Sequence, residues 1–268
     1  MKAPFDVLGN IALVKFSRGT KIKAKKKFAQ NLLKGYNSVK TILEKTRGFQ
    51  GRLRKQQTKW IAGEKTKEAV YRENGCVLRF NIDSTYFSPR LSNERKEIAG
   101  KIKKGEKVLV MFAGVGPYSI VIAKNSKASK VYSNEINREA NKYAELNIAL
   151  NKVRDKVILL NGNIKQIANK IRRGLLINNE GIPRKFDVIV MPRPQLKDMF
   201  LREAFSLSKK GTRIYYYDFC KEDDIENVVN KIKTEAKRYK KRIKILKVKK
   251  AGEIAPYRYR VRVDFRVI

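Results

Sequence analysis

The chain has 268 residues, 42% of them hydrophobic, and carries 63 Lys or Arg against 25 Asp or Glu, a formal charge of +38. That supplies ample material for a buried core, and so lopsided a charge points to a polyanionic partner, nucleic acid first. With no histidine, and with Cys76 and Cys220 matching no zinc spacing, His-based metal sites and Ser-His or Cys-His catalysis are excluded and no metal is expected. The start MKAPFDVLGN has no apolar signal core and no run approaches the ~20 apolar residues of a membrane span, so a cytoplasmic protein without a membrane partner is expected.

Abundant Lys, Ile and Asn also suit a heat-loving or AT-rich source, but that does not explain the excess of bases over acids. The first 60 residues hold 16 Lys or Arg and only two acids, Asp6 and Glu44. VLGNIALVKF (7–16) reads as one strand. From 25 to 43, Phe28, Leu32, Tyr36, Val39 and Leu43 form a helical stripe with a basic opposite face. Residues 60–82 read as two or three strands broken at Glu73-Asn74-Gly75, a hairpin-turn sequence. Residues 1–85 are therefore expected to form a small basic α+β domain that faces RNA. Helix 91–103, with Ser92 as N-cap, opens the second part, 86–268. There strands at 107–111, 130–134, 156–160, 186–191 and 212–218 alternate with helices at 117–125, 137–150, 163–173, 196–208 and 222–239. Strands 242–250 and 259–267 close the chain. This alternation predicts an α/β fold, a doubly wound, mostly parallel Rossmann-like sheet, with the last two strands as an antiparallel hairpin at its edge.

The organising stretch is KVLVMFAGVGPYSIVIA (107–123), a strand, a glycine turn and a helix start. Glycines allow a ligand close to the backbone, and the helix that follows presents free N–H groups there. VYSNEIN (131–137) is a second strand ending in an acid, and Glu135 is placed to accept from a ribose diol, the general nucleotide-binding arrangement of doubly wound sheets. FAGVG lacks the third glycine of the dinucleotide pattern, and no Lys-Ser or Lys-Thr follows, so it is no P-loop; Pro117 takes helix position N1, where proline is tolerated. A nucleoside without a phosphate chain fits best, and S-adenosylmethionine is such a ligand. Phe112, Ala113, Gly114 and Gly116 would hold its methionine end, Glu135 its ribose, and Asn163, after the third strand, the adenine edge.

FSPRLSNERKEIA (87–99), MFAGVGPYSI (111–120), YYYDF (215–219) and APYRYRVRVDFRV (255–267) occur in this order. Together they resemble the archaeal and eukaryotic-type tRNA (guanine-37 N1)-methyltransferases, over a match from about Asp6 to the C-terminus; a short form without the family's separate N-terminal domain is expected. The resemblance implies a class I methyltransferase domain behind the small RNA-facing domain, with tRNA bound by its anticodon loop at position 37 and a monomeric enzyme. Methylating guanine N1 requires a base to take its proton and a cation to stabilise charge developing on O6. Glu94, in SNER, matches the family's general base, although in isolation it reads as an exposed acid in a helix's first turn. Arg54, in GRLRKQQTKWIAGE, matches the O6-contacting arginine, with Arg52 close enough to exchange roles. Tyr86 and Phe87 lie beside the cofactor edge in the resemblance.

Three departures stand out. Val110 replaces an acid before MFAG, and Asn163 replaces the acid after strand three. Pro192 takes the place of an Asn that helps hold the target base and offers only its carbonyl; Arg193 adds a cation beside it. Some archaeal relatives also methylate C7 of the wyosine intermediate at the same tRNA position, which makes that reaction, alone or in addition, the alternative. A third reading is a non-catalytic RNA-binding protein on a methyltransferase fold. A related group that transfers the aminocarboxypropyl tail lacks the counterparts of Arg90 and Pro117, both present here. Lys237 to Lys250 and the basic N-terminal domain would grip the tRNA backbone.

Overall fold

In the computed structural model, which describes residues 2–175, 181–192 and 198–268, the chain opens with two strands where one was expected: β1 (Phe5–Leu8) and β2 (Ile11–Val14). They pair antiparallel around Gly9-Asn10, with Phe5 opposite Val14. Gly9 sits at φ +61, and a Cβ built on it would lie 1.8 Å from the Val70 carbonyl oxygen. Asn10 fixes the turn from its other side: its Oδ1 accepts from Val70 N at 2.7 Å. The turn is made by tertiary contact, which a run of apolar residues does not announce.

Helix α1 (Ile22–Gly35) ends earlier than the stripe suggested, and the chain re-enters as β3 (Thr41–Gln50). The β-branched trio Val39, Thr41 and Ile42 favours extended backbone. Val39 and Leu43 are buried as expected, but in the loop before β3 and in β3 itself rather than on a helix face. With β4 (Lys55–Gly63) these strands form a four-stranded sheet in the order β1-β2-β3-β4, β2 and β3 parallel. Ala29 and Leu32 of α1 close its small core with Val14, Ile42 and Ile61.

The hairpin β5 (Glu68–Glu73) and β6 (Cys76–Asn81) turns at Asn74-Gly75, as the sequence predicts. Next come a 3-10 turn at Pro89–Leu91 and α2 (Ser92–Gly100), in which Ser92 is the first helical residue rather than the cap; its carbonyl accepts from Asn74 Nδ2 at 3.0 Å. Then follow β7 (Lys107–Met111), α3 (Pro117–Asn125), β8 (Lys130–Glu135), α4 (Arg138–Leu150), β9 (Val157–Asn161), α5 (Ile164–Arg172) and β10 (Phe186–Met191). The chain finishes with α6 (Leu201–Ser206), β11 (Ser208–Lys221), α7 (Ile225–Arg238), β12 (Ile243–Ala255) and β13 (Arg258–Val267). The first part of the helix expected at 196–208 falls in 193–197, outside the described residues.

The large sheet runs β12-β13-β11-β10-β7-β8-β9. Strands β7 to β11 are mutually parallel, and β13 is antiparallel to both β11 and β12, so the closing hairpin does lie at one edge. Helices cover both faces, which explains why β7 and β10 are buried along almost their whole length. The β5–β6 hairpin docks on α4 through two asparagines. Asn147 accepts from Arg79 N at 2.7 Å and donates to Arg79 O at 2.9 Å; Asn151 does the same to Val77 at 2.9 and 2.7 Å. These amides satisfy a strand edge that would otherwise be buried unpaired. The strand order reverses between β7 and β10, so the ligand crevice of such a sheet lies above their carboxyl ends.

Gly9→Ala should destabilise the protein by at least about 1–3 kcal/mol, since it adds left-handed strain to a backbone clash. Thermal unfolding checks this, and the small sheet should exchange its amides fastest in the variant.

Candidate active site

A cleft opens where the switch point places it, lined by Phe112, Ala113 and Gly114 after β7, Glu135 at the end of β8, and Pro192 after β10. The glycine turn is built by short bonds: Ala113 N donates to Asn134 O at 2.8 Å, and Gly116 N to Ala113 O at 3.1 Å. Phe112 enters it at φ +58, a left-handed conformation unusual for a bulky residue, and its ring meets Phe200 edge-on at 5.1 Å. Glu135 is the anchor of the cleft. Its Oε2 accepts from Gly114 N at 2.8 Å, and its Oε1 accepts from Ile136 N at 2.9 Å and Asn137 N at 2.8 Å. Three amides thus orient one carboxylate, and Oε2 keeps a lone pair for a hydroxyl donor. Pro117 begins α3 at N1.

The opposite wall comes from the loop before α2. Tyr86, Phe87 and Ser88 face the glycine turn, and the Tyr86 carbonyl would lie 3.5 Å from a Cβ on Gly114. Phe87 is both wall and core, stacked on Phe80 at 4.5 Å and packed on Tyr71 at 5.1 Å. Arg54, itself at φ +51, lays its guanidinium over the Tyr86 ring at 4.5 Å. Arg95, which sequence reasoning passed over, is buried and lines the same cleft: it pairs with Glu73 through two bonds and donates to Ser88 O at 3.1 Å. It thereby clips the hairpin, α2 and the wall loop together.

A second cleft lies on the far side of that wall, between the small sheet and the β11–β13 edge. The two clefts share Arg54, Tyr86, Phe87 and Ser88. The second is aromatic and basic, with Phe49 and Phe219 among its rings and Arg90 and Arg260 among its cations.

Glu94 is not where the first turn of a solvent-facing helix would put it. It is 4% exposed and lies outside the lining of both clefts. Its Oε2 accepts from Arg262 Nη1 at 2.5 Å and from the Tyr217 hydroxyl at 3.0 Å; its Oε1 accepts from Lys249 Nζ at 2.6 Å. Arg262, wholly buried, also binds Glu97 at 2.6 Å and Asp264 at 2.7 Å. The hydrogen bond from Arg262 holds the Glu97 carboxyl far below the usual carboxylate range, against the effect of burial. Burial would lower the Arg262 guanidinium, but the bonds it donates to Glu97 and Asp264 carry it well up. Among the described residues, Glu94 is linked to the first cleft by phenols: Tyr118, which lines that cleft, donates to Tyr217 at 3.1 Å, and Tyr217 donates to Glu94. Burial pushes Tyr118 up to about 12, so it is neutral at physiological pH.

The sequence-derived residues therefore divide. Arg54, Tyr86, Phe87, Phe112, Ala113, Gly114, Glu135 and Pro192 come together around one cleft. Gly116 does not line it; at φ +85 it caps α3, where a Cβ would come 3.2 Å from Ile120. Asn163 caps α5, accepting from Lys165 N at 3.1 Å, and lines a small recess beyond Phe112, together with Arg52. Arg193 lies outside the described residues. Sequence reasoning missed Arg95, Tyr118, Tyr217, Arg260 and Arg262. The one available signal was the period-two insertion of Arg260, Arg262 and Asp264 into an otherwise apolar strand, the mark of charges on a buried face.

The TRM5/TYW2 methyltransferase domain model matches residues 69–246. The tRNA (guanine(37)-N(1))-methyltransferase Trm5b of Pyrococcus abyssi is 34% identical over 98% of this chain and 74% of its own. The tRNA (guanine(37)-N(1))/4-demethylwyosine(37)-methyltransferase Taw22 of Nanoarchaeum equitans is 34% identical over 98% of this chain and 99% of its own. Among solved structures, Methanocaldococcus jannaschii Trm5 in complex with adenosine has a TM-score of 0.77 at 25% identity, covering 98% of this chain and 72% of its own. With a family model that matches more than half of its length and a relative 34% identical over 98% of it, this chain belongs to the TRM5/TYW2 methyltransferase family.

Proposed function

We propose that the chain is a tRNA methyltransferase that uses S-adenosylmethionine to methylate N1 of guanosine 37, beside the anticodon. The observation that carries this is the pair of clefts with one common wall: a donor cleft on the sheet's switch point, and an aromatic, cationic cleft across Tyr86. The names of the relatives supply the position and the atom; the second cleft supplies a place for a swung-out base.

The donor cleft suits S-adenosylmethionine. Glu135 keeps a lone pair toward it, the Gly114 turn lets a ligand approach the backbone, and Phe112 and Tyr86 give apolar walls. When bound, that cofactor supplies an electrophilic methyl. The chain's own work is positioning and proton handling. Arg54, with no acid in ion-pair range among the described residues, is free to stabilise charge on O6 from its perch over Tyr86. Glu94 is the proposed sink for the N1 proton, joined to the cleft by the Tyr118–Tyr217 phenol pair. The exposed bases of the small sheet and of residues 237–250 would grip phosphates, giving affinity with a steep salt dependence.

Methylation at C7 of the wyosine intermediate in addition is favoured by two observations: Taw22, a relative matched over 99% of its own length, carries both activities in its name, and Pro192 departs from the usual Asn. Nucleoside mass spectrometry of tRNA treated with the enzyme separates the products.

A transcript with G37 should be labelled and the same transcript with A37 should not; equal labelling would sink the assignment. Glu94→Gln should lower kcat by about 10²-fold or more if the carboxylate takes the proton, with cofactor affinity unchanged. Glu97→Gln is the control, because Glu97 shares Arg262 but not Tyr217. It should cost about 1–3 kcal/mol, a buried-pair value reduced for its partial exposure, while kcat holds. Because the folded protein depresses the Glu97 carboxyl, its stabilising contribution is complete above the unfolded value of about 4.3 and is lost as pH falls below it. The gap in melting temperature between wild type and Glu97→Gln should therefore narrow on acidification, as thermal melts across that window will show.

A further inference from the structure

Arg260 and Arg262 stand two residues apart in β13 and are treated oppositely by the fold. Arg262 is saturated by Glu94, Glu97 and Asp264. Arg260 is nearly as buried, 5% exposed, yet among the described residues it has no ion pair, and its Nε has no hydrogen-bond partner. Its guanidinium lies over the Phe219 ring at 5.2 Å and lines the second cleft. The groups that act on it most strongly are Tyr86, Tyr118, Arg54 and Tyr217, none of them a carboxylate, and the acid that lines its cleft, Asp6, is bonded to Lys45. A desolvated guanidinium without an anion is costly to keep. The same strand shows that acids could have been placed beside it. An empty partner position of this kind fits a ligand acceptor that arrives from outside.

We propose that Arg260 reads the O6–N7 edge of the target purine, as the second of two guanidiniums that fix it; this rests on the reaction proposed above. The cleft's layout supports a base edge over a phosphate. Its more accessible cations, Lys45 paired with Asp6 and the exposed Arg90, suit hydrated phosphates, whereas Arg260 sits deep among aromatic rings. Around guanine, O6 lies between N1 and N7. Arg54 belongs to the wall common to both clefts, next to where N1 must meet the donor. Arg260 lines only the second cleft, so it takes the far side of O6 and N7. The arginine fork matches two neighbouring acceptors, which guanine presents; adenine presents an amino donor at C6 and would be refused. Arg260 thus provides discrimination in a chain where Pro192 cannot supply an amide side chain.

The test uses the full chain with tRNA transcripts carrying guanosine, 7-deazaguanosine or adenosine at position 37. Binding is measured with S-adenosylhomocysteine present, and single-turnover methylation alongside it. For wild type, loss of N7 should weaken binding and rate by about 5- to 100-fold. Arg260→Met should lose a similar factor on guanosine and little more on 7-deazaguanosine. Its free form should melt no lower than wild type, since an unpaired buried charge has been removed. Arg260→Lys, which keeps the charge but not the fork, should retain the salt dependence of binding and lose the preference for guanosine. The proposal is overturned if the two losses multiply, or if Arg260→Met lowers the salt slope of binding by about one, a phosphate contact. It is equally overturned if that variant melts lower and binds all three transcripts equally less well. Because binding is read without turnover, a wild type that prefers guanosine yet transfers no methyl would refute the reaction and leave the assignment of Arg260 standing.

Discussion

One buried guanidinium holds the reactive half of this molecule in place. Arg262 bonds to Glu94 and Glu97 on α2 and to Asp264 on its own strand, so β13 and α2 cannot slide past one another without stranding charge. Well-packed apolar residues could match such a cluster in stability; what the ions add is a single register. That register has consequences at both clefts. It sets Glu94 against the Tyr217 phenol, and it fixes Arg260, two residues away, at the floor of the second cleft. Lys249 and Lys101 close the cluster from β12 and from the end of α2, bonding Glu94 at 2.6 Å and Asp264 at 2.8 Å.

The donor cleft is organised by the opposite charge. Glu135 collects three backbone N–H groups and so holds the Gly114 turn and the start of α4 around one point. Arg54, Phe112 and Phe200 all adopt positive φ beside this region, where non-glycine backbone is strained. Such strain persists where surrounding contacts over-determine it, and it accumulates where side chains are held for a ligand rather than for the fold. The wall of Tyr86 to Ser88 separates the clefts by a single layer, and Arg95 keeps it from collapsing into either one. The bulk of each of two ligands can therefore lie in its own chamber, with the reacting atoms meeting past the edge of that layer rather than through it.

The charge of +38 is likewise sorted by depth. Buried bases such as Arg95 and Arg262 are matched by acids, while most of the exposed lysines of β12 and the small sheet are left to solvent. Among the described residues Arg260 is the exception, buried with its Nε unpartnered in the lining of the second cleft.

The alternation of strands and helices, the edge hairpin, the glycine turn and the acid at Glu135 were all legible in the sequence, because each depends on local periodicity or on a backbone requirement that few residues meet. Most of the donor cleft followed, since its walls are the carboxyl ends of strands whose order the alternation implies. Tertiary structure alone decided the rest. The stripe from Phe28 to Leu43 gave correct burial but the wrong element beyond Gly35, since a helix face and a strand can bury the same apolar residues. Ser92 became the first helical residue behind Leu91, and the chain turns at Gly9 against Val70, a contact between residues distant in sequence. Whether Glu94 faces water, substrate or Arg262 depends on a strand 168 residues later. Charge pairing across such distances is a property of packing, and no window of sequence contains it.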